Sequence, residues 1–114
     1  MKIKRFVDSP IGKRLQAAEK VRREVSFSFY MDAEPFFGAK GQVMLQGMID
    51  CVLFEEDGIS IIDYKTDRGE SPAELVERYK LQLDCYAKAA EIMYGKPVIH
   101  RYLYLFHFDD YIEV

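Results

Sequence analysis

Two apolar runs separated by an acidic turn constrain this chain more than anything else in it. Val43 to Phe54 is long and mostly apolar, Ile59 to Tyr64 is shorter, and Glu55-Glu56-Asp57-Gly58 lies between them. An Asp-Gly step between two such runs is a strong hairpin signal, because a tight turn needs residues that tolerate positive φ. Side chains alternate along a strand, so Asp63 and Lys65 project from one face and Tyr64 from the other. By the same alternation Asp50 shares a face with Met48 and Val52. Pairing around Asp57-Gly58 brings Asp50 roughly level with Asp63 and Lys65. Three charged groups then converge where neighbouring positions are apolar. Burying an unpaired carboxylate is costly, and a bound cation would offset that cost.

The residue types suggest which chemistry. The carboxylates of Asp50 and Asp63, with the backbone carbonyl of Tyr64, are hard oxygen donors of the kind that hold Mg2+, and Mn2+ suits such a set equally. A lysine beside them is placed to orient or activate an attacking water. These are the parts of a metal-dependent phosphodiesterase. An isolated Asp-x-Lys is more often a strand end with a surface ion pair. The Gly47-Met48-Ile49-Asp50 element at hairpin distance moves the balance to the metal site.

Taken in order, Gly47-Met48-Ile49-Asp50, then Ile62-Asp63-Tyr64-Lys65-Thr66-Asp67, then Gln82-Leu83-Asp84-Cys85-Tyr86 resembles the RecB-type branch of the PD-(D/E)XK nucleases. Arg23-Glu24-Val25-Ser26-Phe27, the run Asp63 to Arg68 and Glu77-Arg78-Tyr79 narrow the likeness to the C-terminal nuclease domain of AddA-type helicase/nucleases. The similarity runs from about Phe6 to Phe106. It implies a restriction-endonuclease-like core and a magnesium-dependent DNA exonuclease that processes double-strand breaks for recombinational repair. It also implies DNA ends and single strands as substrate, an AddB-type partner protein, and helicase domains on the same polypeptide. By this likeness Asp50 and Asp63 are metal ligands, Lys65 is the catalytic lysine and the Tyr64 carbonyl is a backbone ligand. Gln82 and Tyr86 form a Gln-x-x-x-Tyr motif that positions DNA or the catalytic groups. Glu24 matches a recurrent strand glutamate that supports the site from outside its ligands.

One part of the family pattern has no counterpart. Family members carry a histidine ligand on an N-terminal helix in a Gly-x-x-x-His context, and this sequence has no histidine before His100. His100 and His107 fall in the last strand region, match no motif, and read as ordinary imidazoles. We therefore expect residues 1–114 to be a single nuclease domain, a C-terminal fragment of a longer helicase/nuclease that binds metal weakly by itself.

Composition fits one domain with a modest core: 114 residues, 49% hydrophobic and 14% aromatic, without low-complexity segments. No apolar run approaches the ~20 residues that span a bilayer. Met1 to Arg5 is basic but no signal-peptide apolar stretch follows. Cys51 and Cys85 are far apart, which argues against zinc or an iron–sulphur cluster and for two small buried residues in a reducing cytoplasm. A net charge of −3 is wrong for a free-standing DNA binder, so most grip on DNA must come from elsewhere. Lys13, Arg14, Lys20, Arg22 and Arg23 read as a solvated face. Arg78 and Lys80, just before Gln82, are candidates for a phosphate contact. No Gly-x-x-x-x-Gly-Lys-Ser/Thr loop is present, which leaves ATP use to other parts of a parent protein.

Periodicity predicts a helix from Ser9-Pro10 to about Lys20, with Ile11, Leu15 and Ala18 on one stripe. A half-buried strand follows, alternating Val25, Phe27, Phe29 and Met31 with Ser26, Ser28 and Tyr30. A loop with Pro35 from Asp32 to Gly41 precedes the two motif strands. The longest helix runs from Ser71 to about Tyr94, opened by Ser71-Pro72-Ala73-Glu74 and closed by Gly95. Val98 to Phe106 reads as a strand, and Tyr111 to Val114 as a short last one. The expected fold is α/β, a mixed sheet flanked by helices. Two other functional readings compete: a non-catalytic structural or DNA-docking module, and a stand-alone small nuclease, the weakest. Strand polarity and exonuclease against endonuclease mode are not legible here.

Overall fold

A computed structural model describes residues 8–18, 20–34 and 38–114. The basic start of the chain and Pro35 of the expected loop lie outside them. Seven elements follow in order: α1 (Pro10–Ala17), β1 (Lys20–Asp32), β2 (Gln42–Glu55), β3 (Gly58–Lys65), α2 (Pro72–Tyr94), β4 (Val98–Leu105) and β5 (Asp110–Glu113). The strands form one sheet in sequence order, β1-β2-β3-β4-β5. β1, β2 and β3 run antiparallel, β3 and β4 parallel, and β4 and β5 antiparallel. A parallel neighbour needs a long crossover, and α2 supplies it. The mixed α/β sheet with flanking helices is the architecture expected.

α2 has the ends its sequence encodes. Ser71 Oγ accepts the Glu74 N–H at 3.2 Å and donates to Glu74 Oε1 at 3.1 Å, a reciprocal cap behind Pro72. Gly95, at φ 65°, closes the far end with its N–H on the Glu91 carbonyl. Leu75, Leu83, Ala89 and Ala90 are buried against Ile49, Val52, Phe54, Ile59, Ile61, Leu103 and Leu105 of the sheet. The opposite face of the sheet carries a second cluster, in which Ile11 of α1 covers Cys51, Leu53, Ile62, Tyr102 and Tyr104. Arg14 clamps α1 there, donating to both carboxylate oxygens of Glu55 at 2.9 and 3.0 Å and to the Tyr102 hydroxyl at 2.8 Å. Charge-assisted, bidentate geometry makes this a strong tether.

Several expectations change. α1 stops at Ala17, because Ala18 is extended (φ −63°, ψ 143°), and Lys20 already belongs to β1. β1 therefore starts five residues earlier than Val25; β2 is long enough to pair with it from Lys20 opposite Phe54. Asp32, placed in the loop, is the last residue of β1. The hairpin turns on Glu56-Asp57, since Glu55 pairs with Gly58. Gly58 is the first residue of β3, where a Cβ would sit 2.6 Å from the Pro97 carbonyl oxygen. This register makes Cys51 the partner of Ile62, so the next position sets Asp50 beside Asp63 rather than Lys65.

A further change concerns which face Asp50 shares. Phe27 and Phe29 of β1 and Leu45 and Ile49 of β2 pack on the α2 side, whereas Val21, Cys51 and Leu53, of the same parity, pack on the α1 side. Both strands therefore switch faces between these groups. The switch coincides with Glu24, whose φ is 52°, a left-handed value uncommon outside glycine, and with a skipped pairing between Glu24 and Asp50. Met48 is exposed while Val52 lies in the α2-side core. Asp50 thus does not share one face with both; it sits at the crossover.

Candidate active site

The β2–β3 ladder runs out at Cys51 and Ile62, and the next ladder position is taken by a side chain. Asp50 Oδ2 accepts the backbone N–H of Tyr64 at 2.8 Å. In an extended strand a residue's N–H and C=O lie on one edge. The Tyr64 carbonyl therefore shares the edge that faces Asp50. On the other edge the Lys65 carbonyl accepts from Phe106 N–H at 3.0 Å, which keeps β3 bound to β4 while it parts from β2. The parting of two strands around Asp50 and Asp63 makes the site.

Asp63 is 3% exposed, and its Oδ2 lies 2.9 Å from the Lys65 ammonium. That oxygen is buried, and the ammonium is its close partner. Burial pushes the Asp63 carboxyl up, to about 6, and the neighbouring Asp50 carboxyl adds to the rise while Lys65 opposes it. For Lys65, burial acts to lower the ammonium's pKa, but the ion pair with Asp63 outweighs it and the net shift is upward. Two carboxylates set side by side, one of them buried, share a single nearby ammonium, and their hard oxygen donors fit a divalent cation. Among the described residues no three His, Cys, Asp or Glu side chains gather into a ready-made metal cluster. The donor set here is the two carboxylates and the Tyr64 carbonyl.

α2 supplies the rest. Gln82 Oε1 accepts from Lys65 Nζ at 3.1 Å, and the Tyr79 ring lies under the same ammonium, 4.1 Å from Nζ to the centroid. Tyr86, one turn on from Gln82, meets Phe27 edge to face at 5.6 Å. Both rings close over Gly47: a Cβ there would lie 3.1 Å from Phe27 Cζ and 3.1 Å from Tyr86 Cε1. The glycine of Gly-Met-Ile-Asp is thus a packing requirement. Tyr86 packs on the strand that carries Asp50 and lies within electrostatic reach of Asp63 and Lys65.

Asp50, Asp63, Lys65, Gln82, Tyr86 and the Tyr64 carbonyl are therefore brought to one end of the sheet. Glu24 is exposed at the backbone kink across from Asp50. His100 pairs with Glu113 at 2.6 Å and stacks on Tyr102, and His107 is exposed in the β4–β5 turn. Arg78 is half-exposed and pairs with Asp67 and Glu70. Cys51 is buried, its thiol pushed up to about 11 by burial, and Cys85 is half-buried. Sequence reading missed Tyr79 and Asp67 as neighbours of the site. The i, i+3 spacing of Tyr79 and Gln82 was the available signal, since residues so spaced are neighbours on a helix.

The sequence matches the family model of the PD-(D/E)XK nuclease superfamily over residues 2–109. It is similar to an ATP-dependent helicase/nuclease subunit of Clostridium novyi (strain NT), with 42% identity over 99% of this chain. Proteins of the same name from Bacillus mycoides (strain KBAB4) and Bacillus cereus (strain AH820) are 41% and 42% identical over 99% of it. The chain spans 10% of the length of each of these relatives. A match that takes in β1 through β4 and both helices, with the motif residues gathered at one site, settles the family: the chain belongs to the PD-(D/E)XK nuclease superfamily.

Proposed function

We propose that this chain is the metal-dependent DNA nuclease domain of an AddA-type helicase/nuclease and hydrolyses phosphodiester bonds at processed double-strand ends. One observation carries the reading. The buried Asp63 carboxylate, beside Asp50, is paired with a lysine held by a glutamine. Asp50, Asp63 and the Tyr64 carbonyl would hold Mg2+ or Mn2+. Such a cation, when bound, neutralises phosphate charge and makes water a better nucleophile at neutral pH.

The chain's own groups do the remainder. Lys65 puts a fixed positive charge beside the scissile phosphate, where charge increases in the transition state. Gln82 holds that charge in place. Tyr86 and Gly47 fix the segment that delivers Asp50. By analogy with the relatives' names, helicase domains on a longer polypeptide supply DNA and use ATP. An AddB-type protein is the expected partner, with recombinational repair in the cytoplasm as the setting.

The test is cleavage of linear single- and double-stranded DNA with Mg2+ or Mn2+, beside Asp63→Ala and Lys65→Ala. Cleavage abolished by both substitutions supports the assignment. The docking-module reading is favoured by the lack of a third acidic or histidine ligand among the described residues. That reading prevails if both this chain and a longer chain with the preceding segment of the relatives bind DNA without cutting it.

A further inference from the structure

We propose that Tyr79 is a positioning residue that seats the Lys65 ammonium from below; this rests on the nuclease reading above. A lysine side chain is a flexible four-carbon stem carrying a compact charge, and nothing in its own rotamers fixes where the charge sits. Here three groups fix it. Asp63 Oδ2 lies at 2.9 Å, Gln82 Oε1 at 3.1 Å, and the Tyr79 ring centroid at 4.1 Å. The two oxygens alone leave the ammonium free to swing toward solvent or collapse onto Asp63. The ring closes the third side with the negative face of its quadrupole, a cation–π contact. Tyr79 and Gln82 are three residues apart on α2, so one helical turn presents both contacts.

The hydroxyl of Tyr79 has a separate task. It donates to Asp67 Oδ2 at 2.8 Å, and Arg78 donates to the same oxygen at 3.3 Å. Arg78 also pairs with Glu70. The segment leaving β3 after Lys65 is thereby pinned to the first turns of α2. Ring and hydroxyl together hold both the tip of Lys65 and the backbone just beyond it. Separate substitutions can divide these two roles: Tyr79→Phe keeps the ring and drops the pin, and Tyr79→Leu drops both.

The experiment records the Lys65 ε-methylene resonances in the chain labelled with 13C-lysine, assigned by their loss in Lys65→Arg, alongside DNA cleavage with Mg2+ or Mn2+. A ring this close moves those protons upfield. The shift is expected in the wild type and in Tyr79→Phe, and is expected to vanish in Tyr79→Leu. Cleavage is expected to lose kcat by roughly tenfold to a hundredfold in Tyr79→Leu, the scale of a misplaced catalytic group. KM should be little changed, and Tyr79→Phe should lose clearly less. Thermal unfolding checks that each variant folds, and Tyr79→Met replaces Tyr79→Leu if that one does not. Unchanged Lys65 resonances in the variant without the ring overturn the proposal, as does full kcat where the resonances have moved. If both the wild type and the longer chain with the preceding segment of the relatives cut nothing, the nuclease reading falls while the resonances still decide whether Tyr79 seats the ammonium.

Discussion

Replacing Asp63 by asparagine isolates the energetic consequence of holding a carboxylate inside the sheet without a cation. The folded carboxyl titrates near 6 against an ordinary value of 3.8, so the charged form is disfavoured by burial and by Asp50. About two pK units at 1.36 kcal/mol each amount to about 3 kcal/mol of lost stability once the group is ionised in both states. Because the folded pKa is raised, the contribution is fully present below pH 3.8 and is lost as pH rises through about 6. Asparagine has the same shape and never ionises. It leaves Lys65 without its counter-ion, although Gln82 and the Tyr79 ring remain. The value near 6 already includes the Lys65 pairing, so the expected net gain at pH 8 is about 2–3 kcal/mol, with Tm rising by about 4 °C per kcal/mol for a domain of this size. Urea unfolding in EDTA at pH 4, 6 and 8 reads the difference. The two chains should match at pH 4 and diverge by pH 8 in favour of asparagine. A variant less stable at pH 8, or a difference independent of pH, would refute the reasoning.

Three further outcomes are expected. Mg2+ or Mn2+ should raise the wild-type Tm in calorimetry and leave Asp63→Asn unmoved, with a gain of RT ln(1 + [L]/Kd), or about 2.7 kcal/mol at a hundredfold excess over Kd. Gly47→Ala should cost about 1–3 kcal/mol by overpacking against Phe27 and Tyr86. Cleavage should fall with it, as Tyr86 is pushed from the Asp50 strand, and double-mutant analysis with Phe27→Leu should recover part of the stability. Ser71→Ala removes the α2 cap and should lower stability by about 1 kcal/mol without changing the pH profile of cleavage.

The expected elements were legible wherever a local rule governs them. The α2 boundaries follow from Ser71-Pro72-Ala73-Glu74 and Gly95, because a cap satisfies orphan backbone groups within a few residues of itself. The hairpin followed from two apolar runs and a turn. The choice of Asp50, Asp63 and Lys65 followed from charge placed among apolar neighbours. What went astray depended on partners distant in sequence. The hairpin register was off by one turn position because Pro97, which crowds Gly58, lies beyond α2. The face of Asp50 was misjudged because strict alternation ignores the kink at Glu24, a residue with no sequence mark of a left-handed φ. Tyr79 carries no mark in the sequence beyond its place in Glu77-Arg78-Tyr79, three residues before Gln82.

Sequence alone marked the residues proposed to carry the chemistry and the order in which the strands and helices meet them, since residue type and period are local properties. Tertiary structure alone decided that Asp50 finishes the ladder on Tyr64 N–H, that Asp63 is buried against Lys65, and that Tyr79 and Gln82 converge on the same ammonium. Those outcomes depend on burial and on distances between segments far apart in the chain, and the cost of a buried charge is set by what surrounds it.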